Sequence, residues 1–141
     1  MEVIRVETDE QLQDAYYVRK IVFVDEQKVP IEEEIDQFEL ESTHFVVYND
    51  ENKPIGAGRF RLIDGYGKIE RICILPSYRK SGIGKLLMER IIEFAKDNGY
   101  DKLKLNAQTH AIRFYENLGF EVSSDEFFEA GIPHKTMIMH I

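Results

Sequence analysis

The sequence has one cysteine, no tryptophan and no long hydrophobic run. The single cysteine, Cys73, cannot form an internal disulfide, so a secreted disulfide scaffold and a thiolate zinc site are both excluded. No apolar segment approaches the ~20 residues that a membrane-spanning helix needs. Residues Met1–Thr8 show a mixed strand pattern that does not match a signal peptide. A reducing cytoplasm is therefore the predicted compartment, with no membrane partner.

Positive charge is also scarce. The chain of 141 residues has 18 basic and 26 acidic residues, which gives a formal net charge of −8. This balance argues against general nucleic-acid binding, which requires a net basic face. Hydrophobic residues make up 43% and charged residues 31%, and there is no linker or internal repeat. The composition is that of a globular protein, and we predict one domain over residues 1–141.

Hydrophobic periodicity predicts an α+β fold, a mixed α/β layer with flanking helices and a mostly antiparallel sheet that contains at least one parallel pair. One predicted helix follows a capping box at Thr8–Gln11, and two further helices are predicted over residues 82–98 and 111–117. Asp64-Gly65 predicts a hairpin turn. The predicted strands are 3–6, 43–49, 55–63, 68–75, 102–107 and two within 122–141 separated by Gly131–Pro133.

An acidic run follows Pro30. Its acidic residues are Glu32, Glu33, Glu34, Asp36, Glu39 and Glu41, with no base among them. The run is predicted to be a loop or a short exposed helix. Two interpretations stay open: the run attracts a cationic amine, or it is an ordinary solvated surface.

The segment from Arg79 to Lys85 joins a predicted strand to the strongest predicted helix. Gly82 and Gly84 allow a tight turn and a close approach of backbone to a ligand. A helix N-terminus presents unpaired N–H groups that suit a phosphate, and three basic side chains lie in the same segment. The segment fits neither a Walker A loop nor a dinucleotide fingerprint, which disfavours an ATP- or GTP-binding switch.

Two motifs together resemble a known family. Arg79-x-x-Gly82-x-Gly84 resembles the acetyl-CoA pyrophosphate signature of the GNAT superfamily of N-acyltransferases. Asn106-Ala-Gln followed by Ala111-x-x-Phe114-Tyr115-Glu-x-x-Gly119-Phe120 is similar to the region that the family places at the cofactor thiol. Residues 23–30 and 129–134 are similar to the YjcF/ElaA-like bacterial branch. The resemblance covers most of the chain and implies a central GNAT-like sheet.

The resemblance implies that acetyl-CoA, a coenzyme A thioester, is the cofactor. It places the backbone of residues 72–74 beside pantetheine, the loop 79–85 at the pyrophosphate, and Asn106 and Phe114 along the cofactor. The implied cofactor-binding residues are Ile72, Cys73, Ile74, Arg79, Lys80, Ser81, Gly82, Ile83, Gly84, Lys85, Asn106 and Phe114. Cys73 itself is expected to be an inert strand residue rather than a nucleophile.

Direct acyl transfer to an amine requires a proton donor for the departing thiolate, a base and an oxyanion stabiliser. We predict Tyr115 as the acid, a backbone N–H near Cys73 as the oxyanion donor, and Glu70 or Glu26 as the base. Each carboxylate also has a non-catalytic interpretation. Glu70 would instead form an ion pair with Arg71 or Lys68, and Glu26 would be an exposed carboxylate after a helix.

We predict that Gln27 and His134 contact the acceptor. For His134 the alternative, a hydrogen-bonded structural histidine, is the more common outcome for such a residue. His44, His110 and His140 lack metal-ligand spacing, so no metal is predicted.

The resulting hypothesis is a bacterial acetyltransferase that moves an acetyl group from acetyl-CoA to a small cationic amine. A protein lysine or N-terminal acceptor stays open, as does a sensor module that binds acyl-CoA without catalysis. Either a monomer or a homodimer is compatible with the sequence.

Overall fold

The computed structural model describes residues 1–141 and is built around one sheet of eight strands. The spatial order of the strands is β1-β2-β3-β4-β5-β8-β6, and β7 pairs with the outer part of β8. Strand bounds are β1 Glu2–Arg5, β2 Thr43–Tyr48, β3 Pro54–Ile63, β4 Tyr66–Ile74, β5 Lys102–Gln108, β6 Glu121–Val122, β7 Phe127–Glu129 and β8 Ile132–His140. All neighbouring strands are antiparallel except β4 and β5, which confirms the predicted mostly antiparallel sheet with one parallel pair.

Four α-helices flank the sheet: α1 Asp9–Arg19, α2 Ile31–Glu34, α3 Ile83–Asp97 and α4 Ile112–Glu116. The predicted capping box at the start of α1 is present, with the Thr8 hydroxyl accepting from the Gln11 N–H. A π-helical segment, Lys20–Glu26, continues α1. Gly99 follows α3 with a φ of 81°, and the Tyr100 N–H donates to Ala95 O, as in a Schellman ending.

Two tight hairpins set the strand register. Asp64 and Gly65 both have positive φ, 51° and 82°, which is type I′ geometry, and the predicted hairpin turn is confirmed. A second such turn, Ala130–Gly131, joins β7 to β8. The prediction that Gly131–Pro133 separates two tail strands is wrong in part, because β8 already begins at Ile132 and a further short strand, β6, precedes β7.

The hydrophobic core lies on both faces of the sheet. One face carries Phe60, Leu103 and Leu105, which pack against α3 through Leu87 and Ile91. On the opposite face, α1 and the π-helical segment pack on the strands and form a smaller cluster. Its buried members are Ala15, Val18, Val22, Val46, Ala57 and Cys73. Because both faces of the sheet are buried, the positions of the central strands are fixed by packing. This includes β4 and β5, between which a gap opens.

Strands β4 and β5 separate half-way along their length. They pair only from Gly67–Leu103 to Ile69–Leu105, although both continue well beyond that point. Within β4, Arg71 has a φ of 59° and the register to β3 shifts by one residue, which is a β-bulge. Opposite the bulge lies Gly58, where a Cβ would lie 2.8 Å from the Ile72 Cδ1. The bulge turns β4 away from β5 and opens a fork in the sheet.

The acidic run is not an open anionic surface, which corrects the sequence-based expectation. Glu34 and Glu39 are buried, and Arg19, itself only 1% exposed, donates to both carboxylates. Arg59, also 1% exposed, pairs with Asp36 at 2.8 Å and with Glu39 at 3.0 Å. Buried carboxylates need such partners because an unpaired charge away from water is very costly. Half of the acidic run therefore neutralises arginines in the interior.

Replacing Arg19 tests this network. We expect Arg19→Met to lower the free energy of unfolding by about 3–5 kcal/mol, because it leaves Glu34 and Glu39 buried without their main cation. The matched control is Lys20→Met, since Lys20 pairs with Asp25 at 3.4 Å with both side chains more than half exposed, and its loss costs about 0.5 kcal/mol or less. Urea unfolding followed by circular dichroism measures both. Equal stabilities for the two variants would contradict a structural role for the network.

Candidate functional site

A cavity of about 1080 Å³ lies in the fork between β4 and β5. This volume is at the upper end of the range for small-molecule and cofactor sites. Every residue predicted for the site lines the cavity except Ser81 and Ile83. Ser81 donates its hydroxyl to Tyr78 O, and the Ile83 side chain is buried in the core, so each can face a ligand only through its backbone.

One end of the cavity is the start of α3. Lys80 and Gly82 have left-handed φ values of 63° and 85°, and no side chain caps the helix. The first helical hydrogen bond runs from the Leu86 N–H to Gly82 O, so the N–H groups of residues 83–85 have no partner. Lys80 and Lys85 line the same end and form no ion pair. Free N–H groups, the helix dipole and two lysines together form an anion-binding end.

Arg79 is held in place from two sides. Its Nε donates to Ile74 O at 2.9 Å, and its two terminal nitrogens donate to the Glu26 carboxylate at 2.7 and 2.6 Å. These bonds to Arg79 lower the pKa of Glu26, which stays ionised. Through Glu26, its last residue, the π-helical segment therefore contacts the loop that contains Arg79.

The free edge of β4 forms one wall of the cavity. The Leu75 N–H donates to Ile55 O on β3 at 2.9 Å. Because backbone groups alternate in direction along a strand, those of Ile74 and Ile72 point away from β3, toward the gap that β5 has left. Ile74 O already accepts from Arg79 Nε, so this edge offers an extended ligand the Ile74 N–H and the backbone groups of Ile72.

Cys73 and Tyr115 lie deep in the fork. Burial raises the pKa of the Cys73 thiol to about 12, so the thiol is protonated at neutral pH. Burial, together with the neighbouring Cys73, also raises the pKa of Tyr115 above its ordinary value. The Tyr115 hydroxyl has no protein hydrogen-bond partner although the ring packs edge-on against Phe114 and Phe120. Tyr115 is thus a neutral O–H donor that faces the cavity.

Glu70 is surrounded by cations. It pairs with Arg59 at 2.9 Å, with Arg61 at 2.7 Å and with Lys68 at 3.2 Å, but not with Arg71. Burial opposes ionisation, yet these partners hold the pKa of Glu70 at about 2. A carboxylate this weakly basic and this fully engaged is a poor acceptor for an amine proton. The geometry therefore corrects the expectation that Glu70 is the base.

Gln27 and the end of β5 contribute neutral polar groups to the cavity wall. Gln27 accepts from Gln108 at 2.9 Å, and Gln108 accepts from His110 at 2.7 Å, so the Gln27 amide N–H groups remain free. Asn106 accepts from the Thr136 hydroxyl at 2.9 Å. Sequence reasoning missed Gln108, although its position two residues after Asn106 on one strand puts both on the same face.

His134 also lines the cavity, and its ring is stacked on Phe127. Glu129, which sequence reasoning did not single out, also lines the cavity, and its contact with Asn106 is 3.5 Å long. No local sequence signal identifies Glu129, since only the β7–β8 hairpin brings it here.

None of the helices is both long and apolar enough to cross a membrane. The structure also contains no group of three His, Cys, Asp or Glu side chains arranged around a possible metal ion.

A sheet that splits between two parallel strands beside an uncapped helix start is the architecture of an N-acyltransferase. The acetyltransferase (GNAT) domain matches residues 6–141. The N-acetyltransferase YjcF of Bacillus subtilis (strain 168) is 52% identical over 139 residues, which cover 98% of this chain and 99% of YjcF. The chain therefore belongs to the GNAT family of acetyltransferases, as the two sequence motifs indicated.

Solved structures agree with this assignment. An acyl-CoA N-acyltransferase from Pseudomonas aeruginosa superimposes with a TM-score of 0.88 at 27% identity, over 99% of both chains. ElaA of Escherichia coli superimposes with a TM-score of 0.89 at 25% identity, again over 99% of both chains. The similarity to YjcF and ElaA confirms the predicted bacterial branch.

The environment of Cys73 predicts its reactivity. With a thiol pKa of about 12, only about one molecule in 10⁴ is ionised at pH 8, and the thiolate is the reactive form. We expect the folded protein to resist Ellman's reagent at pH 8, and the same protein in guanidinium chloride to release one equivalent of thionitrobenzoate. Because the chain has a single cysteine, the readout is unambiguous. Labelling of the folded protein at the rate of free cysteine would show that the thiol is not buried.

Proposed function

We propose that this protein binds acetyl-CoA along the fork and transfers its acetyl group to a primary amine. The observation that carries the proposal is the fork itself, whose free strand edge leads to an uncapped helix start with two unpaired lysines. An acetyltransferase of the same fold from Elizabethkingia anophelis has been solved with acetyl-CoA bound, with a TM-score of 0.77 at 16% identity. When bound, the cofactor supplies a thioester with a transferable acetyl group and a thiol leaving group.

The residues that line the cavity suit each part of an acyl-CoA ligand in turn. The free N–H groups of residues 83–85, with Lys80 and Lys85, hold the pyrophosphate. The backbone groups of Ile72 and the N–H of Ile74 bind the extended pantetheine arm. Phe114 and Asn106 line the deeper part of the fork.

Tyr115 is the proposed proton donor to the departing thiolate. Its O–H is free of protein partners, and burial keeps it protonated. A raised phenol pKa would be a poor match for an ordinary thiol, but the same burial raises the pKa of the adjacent Cys73 thiol to about 12. Burial likewise disfavours the ionised form of a departing thiolate, which favours proton transfer to it from Tyr115.

Glu26 is proposed as a positioning residue in place of a base. Its two-pronged pairing with Arg79 occupies both carboxylate oxygens and fixes the Arg79 guanidinium beside Ile74. Planar pairing of this kind supplies geometric precision. Glu26 therefore sets the shape of the loop between β4 and α3.

The acceptor is proposed to be a small cationic amine. Glu33 and Glu129 line the cavity and form no ion pair, whereas the cationic Lys68 and Arg71 are neutralised by Glu70 and by the acidic run. The unpaired positive charges, Lys80 and Lys85, belong to the loop and helix start of α3. This charge distribution favours an anionic cofactor beside the two lysines and a cationic acceptor beside Glu33 and Glu129.

Two glycines provide a matched test of cofactor binding. Gly82 and Gly99 stand just before and just after α3, both with left-handed φ and with open space where a Cβ would lie. Alanine in that conformation costs about 1–2 kcal/mol, which shifts the backbone. We expect Gly82→Ala to weaken acetyl-CoA binding by about 10-fold or more, and Gly99→Ala to leave the affinity unchanged. Isothermal titration calorimetry with acetyl-CoA, and with ATP as a negative control, measures the effect.

An absence of acetyl-CoA binding by the folded wild-type protein would refute the proposed function. Binding equally weakened by both glycine variants would show that the effect is on stability and that the loop has no special role.

Tyr115→Phe separates an enzyme from a sensor. We expect kcat to fall by about 10²-fold with the KM for acetyl-CoA unchanged, because the hydroxyl acts on the leaving group and the ring still packs. Turnover is followed as thiol release with spermidine, glucosamine and a lysine-containing peptide. The control is Tyr17→Phe, which alters an exposed tyrosine on α1. Wild-type protein that binds acetyl-CoA without releasing thiol with any amine would favour a sensor.

A further inference from the structure

His134 has the most constrained side chain at the acceptor end of the cavity. It lies on β8 next to the β7–β8 hairpin and is only 9% exposed. Its ring is stacked on Phe127, with centroids 6.0 Å apart and an interplanar angle of 20°. Its Nδ1 lies 2.7 Å from the carbonyl oxygen of Ile132. Stacking and this hydrogen bond fix both the position and the rotation of the imidazole.

The hydrogen bond also determines the tautomer. A carbonyl oxygen can only accept, so Nδ1 carries the proton and donates to Ile132 O. In the neutral ring Nε2 is therefore left with a lone pair. No protein group donates to Nε2, and His134 lines the cavity. The ring presents an unoccupied basic nitrogen to the place where the acceptor is proposed to bind.

The other basic groups of the cavity are less suited to this role. Both oxygens of Glu26 are bound by Arg79, and Glu70 is bound by three cations. His110 is exposed and uses Nε2 to donate to Gln108. Glu129 is exposed and anionic, so it would keep a nearby amine protonated instead of releasing the proton.

We propose that Nε2 of His134 is the general base that takes the proton from the acceptor amine. The proposal rests on the proposed acetyl transfer. The amine, after losing its ammonium proton to solvent, forms a nitrogen–carbon bond to the acetyl group while the carbon–sulfur bond breaks. The proton lost by nitrogen goes to Nε2, and the sulfur receives a proton from the Tyr115 hydroxyl. The imidazolium then loses its proton and the phenolate regains one through solvent, so each proton and electron pair is accounted for.

The tautomer can be measured without any acceptor or cofactor. In a long-range ¹H–¹⁵N spectrum of ¹⁵N-histidine-labelled protein at pH 8, we expect His134 to show a protonated Nδ1 and an unprotonated Nε2. The chain has four histidines, and the spectrum of His134→Asn identifies the signal that disappears. A proton on Nε2 in the neutral ring would overturn the proposal whatever the enzyme does.

Kinetics test the role of Nε2 directly. The His134→Asn variant removes Nε2 but keeps an N–H that can donate to Ile132 O, so the hairpin is retained. We expect kcat for the best amine of the panel to fall by about 10²–10³-fold, with unchanged affinity for acetyl-CoA. His140→Asn, on the exposed end of the same strand, is the control and should retain wild-type turnover. Free imidazole is expected to restore part of the rate of His134→Ala but none of that of Tyr115→Phe.

The outcomes separate the two proposals. Wild-type protein that fails to bind acetyl-CoA refutes the proposed function. Wild-type protein that turns over, together with a fully active His134→Asn variant, refutes the role of His134 alone. Loss of activity in Glu129→Gln with an active His134→Asn would assign the base to the carboxylate instead.

Discussion

The buried ion network around Arg19 and Arg59 is the interaction on which the site depends. It connects the segment 31–39 to α1, β3 and β4, which are distant in the chain. The network is not a simple source of stability, because removing these charges from water offsets much of the attraction between them. Its effect is geometric: each guanidinium is satisfied only when the acidic segment lies in one place, against the wall of the cavity.

The same network supports the bulge that opens the sheet. Arg71, the residue with left-handed φ in β4, directs its guanidinium at Glu34 Oε2, at 2.8 Å, and at the backbone oxygens of Glu33 and Glu34. A non-glycine residue in that conformation costs about 1 kcal/mol or more and needs compensating contacts. The acidic segment provides them. The fork in the sheet and the acidic segment beside it are therefore parts of one structure.

Features with local causes were predictable from the sequence, and long-range pairings were not. The capping box at Thr8, the turn at Asp64-Gly65 and the end of α3 at Gly99 each follow from a few neighbouring residues. The burial of Glu34 depends on Arg19, 15 residues away, and the pairing of Glu26 with Arg79 spans 53 residues. Glu70 meets Arg59 and Arg61 only because of the β3–β4 register. Charged residues were accordingly the least predictable members of the site.

This distribution of charge bears on the chemistry of the fork. The carboxylates deepest in the site, Glu34 and Glu70, are paired with cations, whereas the Tyr115 hydroxyl and Nε2 of His134 have no protein partner near the split strands. An amine must be neutral to attack a thioester, and a free carboxylate beside it would stabilise its protonated form. A neutral imidazole accepts the proton without that effect. By confining its interior anions to ion pairs, the fold keeps the cavity beside Tyr115 and His134 compatible with the uncharged amine that the proposed transfer requires.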